Sequence, residues 1–530
     1  MASEPDFQPQ LRLHPLSWLF VLLAHVRHLI VPIATFVFVG VRRDNELWGL
    51  ITIVPLLVIA LWHQWIYRYG FGPRGLVIQD GLFFRNVRQI EYARIENIDV
   101  ERGVLHRLFG VALVSIATST GGKPEASIRV LSLDAVQELR DRIFARAARV
   151  EPQTPEVAAP RDEVLLHLSP GELVRYGLID NRGMFVVAAL VGFLYQGGMF
   201  ELMRATVSVW LTDSRLNEFA ALGIAMKAAL VVATLVAFLA SVRVLSIALA
   251  MVTLFDFTLT RHEHDFRIRH GLLTRIALNL RVRRIQSVHQ TATLLHRWFN
   301  RVSVRADLAG DSGAGQGEKQ HSQGRTHWLA PVCLPQQASA LIDAALPDAD
   351  LRGEPDWQPL APGARARLFR RSVYVLVVLA VLAVVALHTL PGARFTVGVV
   401  WTAVALLVLV PIAWLRAHIY VRYTRWALTA DAILFRHGWL TRRLVIAPRN
   451  RLQSVRLSSS PFDRRYGMAS VSLDTAGAGG GRDNIHIRLL PLEVAQHLAA
   501  ELYHSRVDAV PIGARRATLA SVEALSGGPR

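Results

Sequence analysis

The chain has 530 residues, 52% of them hydrophobic, and a mean hydropathy of +0.31, which excludes a wholly soluble protein and places part of the chain in lipid. The formal net charge is +18, and all but Lys123, Lys227 and Lys319 of the 59 basic residues are arginine; this balance suits either nucleic acid or an anionic membrane, and the apolar segments select the membrane, with no nucleic acid partner. The single Cys333 excludes an intramolecular disulfide and makes no demand for an oxidising compartment.

In chain order, residues 1–17 read as a cytoplasmic N-terminus and residues 18–67 as a pair of membrane helices, split near Val41 and Leu47, with Trp48, Trp62, Trp65 and Tyr67 at headgroup level. With no small-residue cleavage site after the first apolar segment, the pair reads as an uncleaved anchor. Residues 72–149 form the first β-domain. Leu76 to Ile78, a turn at Asp80-Gly81 and Leu82 to Phe84 predict a hairpin, because Asp-Gly tolerates the positive φ of a tight turn. Further strands are predicted at Gln89 to Asp99, Val111 to Thr118 and Ser127 to Leu131. Ser132 then caps a helix with Val136, Leu139 and Ile143 on one stripe.

Residues 150–182 read as a linker, 183–255 as a second membrane pair, 256–346 as a second β-domain, 347–372 as a second linker, 373–415 as a third membrane pair, 425–503 as a third β-domain and 506–530 as a disordered tail. The apolar stretch Leu222 to Phe255 is too long for one crossing, so it is expected to project from the membrane beyond Arg243. Leu13-His14-Pro15, Leu168-Ser169-Pro170 and Leu360-Ala361-Pro362 each precede a membrane pair.

The β-domains share one motif. Arg94-Ile95-Glu96-Asn97-Ile98, Arg284-Ile285-Gln286-Ser287-Val288 and Arg451-Leu452-Gln453-Ser454-Val455 are each followed by a second arginine, Arg107, Arg297 or Arg464, always 11 positions after the Glu or Gln. A glycine (Gly81, Gly271, Gly438) stands 15 positions before that residue. A helix start follows at Ser132, Pro335 or Pro491, with an apolar residue seven positions later at Leu139, Ile342 and Leu498. These fixed spacings make the chain one module used three times, each copy a helix pair followed by a β-domain.

This conjunction resembles the bacterial pleckstrin-homology-like family, also called the membrane-flanked domain family, across nearly the whole chain. The resemblance implies an integral membrane α+β fold: six transmembrane helices in three pairs, each pair followed by a small antiparallel β-barrel or sandwich capped by a C-terminal helix. Asn300 stands in the middle copy where the others have Gly110 and Gly467, a replacement that left-handed backbone tolerates in Asn.

Only 5 of the 59 basic residues, Arg42, Arg43, Arg204, Arg215 and Arg394, lie in the loops inside the helix pairs. The positive-inside rule therefore predicts both termini and all three β-domains on the cytoplasmic side of a bacterial inner membrane, facing the anionic leaflet. No catalytic, cofactor-binding or metal-binding residues are expected. His262-Glu263-His264-Asp265 with His270 has no further ligand at metal spacing, Gly477 to Gly481 reads as a hairpin tip, and no nucleophile-elbow pattern is present. The remaining candidates are Arg94, Arg107, Arg284, Arg297, Arg451 and Arg464, as structural braces or as contacts to lipid or a partner. Arg94, Arg284 and Arg451 are expected on the same strand face as the Glu or Gln two positions on. The sequence thus reads as a non-enzymatic membrane protein for assembly or lipid-surface interaction, with envelope stress or export as its setting and a protein partner or homo-oligomer expected. A transporter or channel subunit built on the six helices is the alternative, to which Lys227, Arg243 and His388 are the pointers.

Overall fold

The computed structural model describes residues 11–12, 17, 19–20, 66–72, 75–80, 86–92, 95–118, 126–139, 163–196, 222–263, 265–309, 327–351, 353–389, 395–475 and 485–509. They fall into two compact units, Met1–Arg281 and Val282–Arg530.

In the first unit, strands β1 (Leu11–Arg12), β2 (Arg68–Phe71), β3 (Gly75–Asp80) and β4 (Asn86–Glu91) form one antiparallel sheet in that order. A second sheet joins β5 (Ile95–Arg102), β6 (Val111–Thr118) and β7 (Ala126–Ser132) of the first module to β8 (Glu163–His167), β9 (Thr258–His262), β10 (Asp265–His270) and β11 (Arg275–Arg281), in the order β7-β6-β5-β11-β10-β9-β8. The first-module core lies between its two sheets. Leu76, Ile78 and Ile90 from one meet Ala112, Val114, Ile116 and Leu131 from the other, and Val136 and Leu139 of the helical residues 133–139 close it. Ser132 Oγ accepts from the Ala135 N–H at 3.4 Å, the cap that its position predicts.

The second unit repeats the arrangement one module further on. Its six-stranded sheet runs β14 (Trp328–Cys333), β13 (Val302–Leu308), β12 (Ile285–Ala292), β17 (Arg442–Pro448), β16 (Ala432–His437), β15 (Arg425–Leu428). A three-stranded sheet of β18 (Leu452–Ser458), β19 (Met468–Thr475) and β20 (Ile485–Pro491) follows. Trp426, Ile433, Phe435 and Val445 pack against Val471, Leu473 and Ile487, and Ala495, Leu498 and Leu502 of helix Leu492–Ala509 seal the third-module core.

Three features depart from the sequence reading. The strand predicted over Gln89 to Asp99 is two strands, β4 ending at Glu91 and β5 beginning at Ile95, in different sheets. In the other two modules the corresponding strands are separated by a 3-10 turn, Val282–Arg284 and Arg449–Arg451, where the chain passes from one sheet to the next. Arg284 and Arg451 therefore sit in a corner and not on the strand face assigned to them; Arg94 lies outside the described residues. The first linker, 150–182, contains β8 and helix Pro170–Ile179. The second, 347–372, contains an isolated bridge from Gln358 to Trp426 and the start of helix Ala364–Thr389. With β1 on β2 and β8 on β9, that bridge shows a shared feature: the residues just upstream of the recurring segment before each membrane pair run back to pair with the first strand of the module that follows.

Among the described residues three helices are long and apolar enough to cross a membrane, Ile224–Leu254, Ala364–Thr389 and Thr396–Tyr423, against the six crossings expected. Helix Arg182–Gln196 is shorter, and residues 21–65 of the first pair lie outside the described set. Helices Ala364–Thr389 and Phe395–Tyr423 run so close that a Cβ on Gly398 would meet Leu387 Cδ1 at 2.5 Å. Helix Ile224–Leu254 changes character near Arg243. Side chains before it are mostly exposed, whereas Val242, Ser246, Ala250 and Leu254 are buried in a stripe with helical spacing. The stripe meets helix Pro170–Ile179 so tightly that a Cβ on Gly177 would lie 2.5 Å from Ile247 Cα, and the Gly183 N–H donates to Ser246 Oγ at 3.0 Å.

Candidate functional site

The shared motif occupies the same position in every module, and its geometry explains the pattern. In all three the ladder slips at the Glu or Gln, between Ile95 and Asn97, Ile285 and Ser287, and Leu452 and Ser454. A bulge places two residues opposite one and bends the strand, so the corner turn and the bulge together redirect the chain between sheets. Eleven residues later the second arginine lies in a short helix, Val104–Leu108, Leu294–Trp298 or Pro461–Arg465, which ends on a left-handed residue: Gly110 (φ +64°), Asn300 (φ +50°) or Gly467 (φ +62°).

The arginines do different work in different copies. The Arg284 guanidinium donates to the Ala309 carbonyl at 2.7 Å within its own module. Arg451 reaches into the preceding one: Nη1 donates to the carbonyls of Val282 (3.3 Å) and Ile285, and Nη2 to Asp348 Oδ2 at 2.7 Å, with the side chain only 10% exposed. Arg297 reaches the other way, Nη2 donating to the Trp439 carbonyl at the β16–β17 tip at 3.2 Å. Arg464, the third-module counterpart of Arg297, is exposed, and its guanidinium has no partner among the described residues; Arg107 is half-buried. Arg451 and Arg297 thus clamp a seam between consecutive modules, a role that same-module reasoning missed.

That seam is a β-ladder. β12 pairs antiparallel with β17 over Val288–Ile446 to Ala292–Arg442, and β5 pairs with β11 over Arg275–Arg102 to Ala277–Val100. Beside the first of these lies a buried polar cluster. His289 Nε2 meets Asp307 Oδ2 at 2.6 Å, Ser287 Oγ lies 3.2 Å from the same nitrogen, and Arg305 donates to Asp307 Oδ1 at 3.0 Å. Serine, histidine and aspartate suggest a triad, but serine and aspartate here share one imidazole nitrogen, whereas a relay needs one on each. Burial raises the Asp307 carboxyl, but its bond to His289 and the charges of His289 and Arg305 outweigh this and hold it below the usual carboxylate range. Across the sheet, burial and the nearby charges of Arg443 and His289 push His437 down to about 4. The cluster is a fixed network at an interface.

The other sequence candidates resolve into structure. His270 Nδ1 is 2.8 Å from the Thr253 carbonyl and its ring stacks on Phe257; no group of metal-binding side chains occurs among the described residues, and His264 lies outside them. Arg243 donates to the carbonyls of Leu178 (3.1 Å) and Asp180 (3.3 Å) and to Asn181 Oδ1 (2.9 Å), closing the end of helix Pro170–Ile179. A cleft of about 680 Å³ between β15 and helix Leu492–Ala509 is lined by Asp356, Arg449, His497 and Glu501, but Arg449 already pairs with Glu501 at 3.1 Å.

A different set of arginines stands apart. Arg425 and Arg436 are cross-strand partners on β15 and β16, and Arg442 on β17 is two positions from Leu444, the next partner along, so all three share one face. Arg436 lies over the Trp357 ring at 4.5 Å and Arg442 over the Tyr423 ring at 5.9 Å. None has a carboxylate partner among the described residues. Burial, then the charges of Arg442 and Arg425, hold the Arg436 guanidinium below the ordinary arginine value. Arg425 comes two residues after the end of the apolar helix Phe395–Tyr423, so this positive cluster lies where that helix meets its module.

Membrane helices joined to repeated antiparallel β-modules, each closed by a C-terminal helix, define a class, and residues 19–147, 208–330 and 374–506 match the model of the bacterial PH domain. These matches span well over half of the sequence: the chain belongs to the bacterial PH domain family. It is similar to UPF0699 transmembrane protein YdbT of Bacillus subtilis (strain 168), 21% identical over 490 residues that cover 89% of this chain and 93% of that protein. It also resembles UPF0699 transmembrane protein YdbS of the same organism, 28% identical over 106 residues, 20% of this chain and 64% of that protein. No solved structure matches.

Proposed function

We propose that this is a non-enzymatic scaffold of the bacterial inner membrane, whose three modules lie against the anionic cytoplasmic leaflet and bind it through arginine. The observation that carries the reading is the Arg425–Arg436–Arg442 face. Three like charges with no carboxylate partner among the described residues, two of them over the rings of Trp357 and Tyr423 and all set at the end of a membrane-spanning helix, repel one another until an anion arrives. Lipid phosphate at that depth supplies the anion. Arg416 and Arg422, both exposed on the last turns of helix Phe395–Tyr423, extend the same charge.

The test compares thermal unfolding of the full chain in nanodiscs of phosphatidylcholine and of phosphatidylglycerol. Anionic lipid should raise the unfolding temperature, salt should reduce the gain because the surface field decays over roughly 8 Å at physiological ionic strength, and R425Q/R436Q/R442Q should remove most of it. Equal unfolding temperatures in the two lipids would sink the reading.

A further inference from the structure

Two seams join the three modules, and both use the same strands in the same register. Counted from the motif, Arg102 and Ala292 are equivalent, as are Arg275 and Arg442; Arg102 pairs with Arg275, and Ala292 with Arg442. In each seam the first strand after the corner of one module pairs with the last strand before the corner of the next. The arrangement is head-to-tail, so it leaves one unused edge at each end of the series. β4 is an edge strand of the first sheet and β18 an edge strand of the fourth; among the described residues neither has a second neighbour.

Exposure marks these edges as unfilled copies of the seam. Gln286 is buried and its equivalent Gln453 is exposed; Ser287 is buried and Ser454 exposed. β4 is exposed at five of its six positions, whereas the equivalent β17 is buried over its last four. Carrying the shared register onto the free edges sets Leu457 opposite Val87, and these are the exposed large apolar side chains of the two strands, 41% and 43% accessible. Arg464, exposed, stands where Arg297 donates across the existing seam. The register also sets Arg456 opposite Arg88, a like-charge pair that weakens the contact.

We propose that β18 of one copy pairs antiparallel with β4 of a second copy, continuing the module series between molecules in the register of the internal seams. Continuity with an interface already formed twice in the chain identifies the occupant as a second copy, because the donor and acceptor edges are both its own. A contact of this kind is heterologous and builds a closed ring or an open filament.

Full-length chains carrying Val87→Cys or Leu457→Cys, differently tagged and co-expressed, are oxidised in isolated membranes; the native Cys333 is buried and stays in place. The expected product is a disulfide-linked dimer of one Val87→Cys copy with one Leu457→Cys copy, while the doubly substituted chain gives a ladder of higher multiples. Arg464→Ala should lower the mixed product several-fold and Arg88→Glu, facing Arg456, should raise it. The proposal is overturned by the absence of mixed product when maleimide labels both cysteines, by self-paired Val87→Cys dimers, by a disulfide closing within one chain, or by a cross-link to another protein such as a single-module member of the family.

Discussion

A guanidinium can be a brace, a clamp or a surface charge, and the repeated arginines of this chain are examples of each. Arg451 is nearly buried, and two module-two carbonyls and Asp348 take its donors. Removing it takes the donor from the carbonyls of the buried residues Val282 and Ile285, while the exposed Asp348 turns to water, so Arg451→Ala should destabilise the seam by about 1 to 3 kcal/mol. Arg464→Ala, at an exposed site, should stay within about 0.5 kcal/mol. Hydrogen exchange on the full chain reads both: faster exchange at β12 and β17 for the first, none for the second. Equal effects from the two variants would return the arginines to a common same-module role. Sequence alone could not separate them, because identical motif positions acquire different surroundings once a module has a neighbour on one side only.

At the scale of the element, the turn glycines were legible and the corners were not. Gly271 (φ +110°) and Gly438 (φ +91°) occupy backbone that L-residues avoid, and a Cβ on Gly438 would lie 2.1 Å from the Thr441 carbonyl oxygen. Gly438→Ala should therefore cost about 1 to 3 kcal/mol. Gly467→Asn should cost less than about 1 kcal/mol, since Asn300 already takes that conformation in the middle module and nothing lies within 4 Å of a Cβ at Gly467. Exchange rates in β18 to β20 check the pair, and a larger loss from Gly467→Asn would contradict the assignment. The helix starts were legible too: Leu139, Ile342 and Leu498, seven positions on from Ser132, Pro335 and Pro491, are all buried. The corner was missed because Arg-Ile-Gln-Ser-Val has the alternation of an uninterrupted strand, and a bulge of one residue leaves no compositional mark. The seams were missed because inter-module register depends on contacts 150 or more residues apart, as between Arg442 and Ala292.

For the whole molecule, hydropathy found the membrane character and the repeats found the modules, and the stretch of helix Ile224–Leu254 that its length set aside as surplus is the stretch where Val242, Ser246, Ala250 and Leu254 are buried. Arg243, a pointer to a charge within the membrane, closes the end of helix Pro170–Ile179. We propose above all that the three modules share the cytoplasmic side, where anionic lipid and the Arg425–Arg436–Arg442 face meet. Single cysteines at Gly121, Gly315 and Gly479, one per module, test it in intact cells with an impermeant maleimide; Cys333 is buried and serves as the background. All three should remain unlabelled until the membrane is opened, and labelling of any one from outside intact cells would contradict the account.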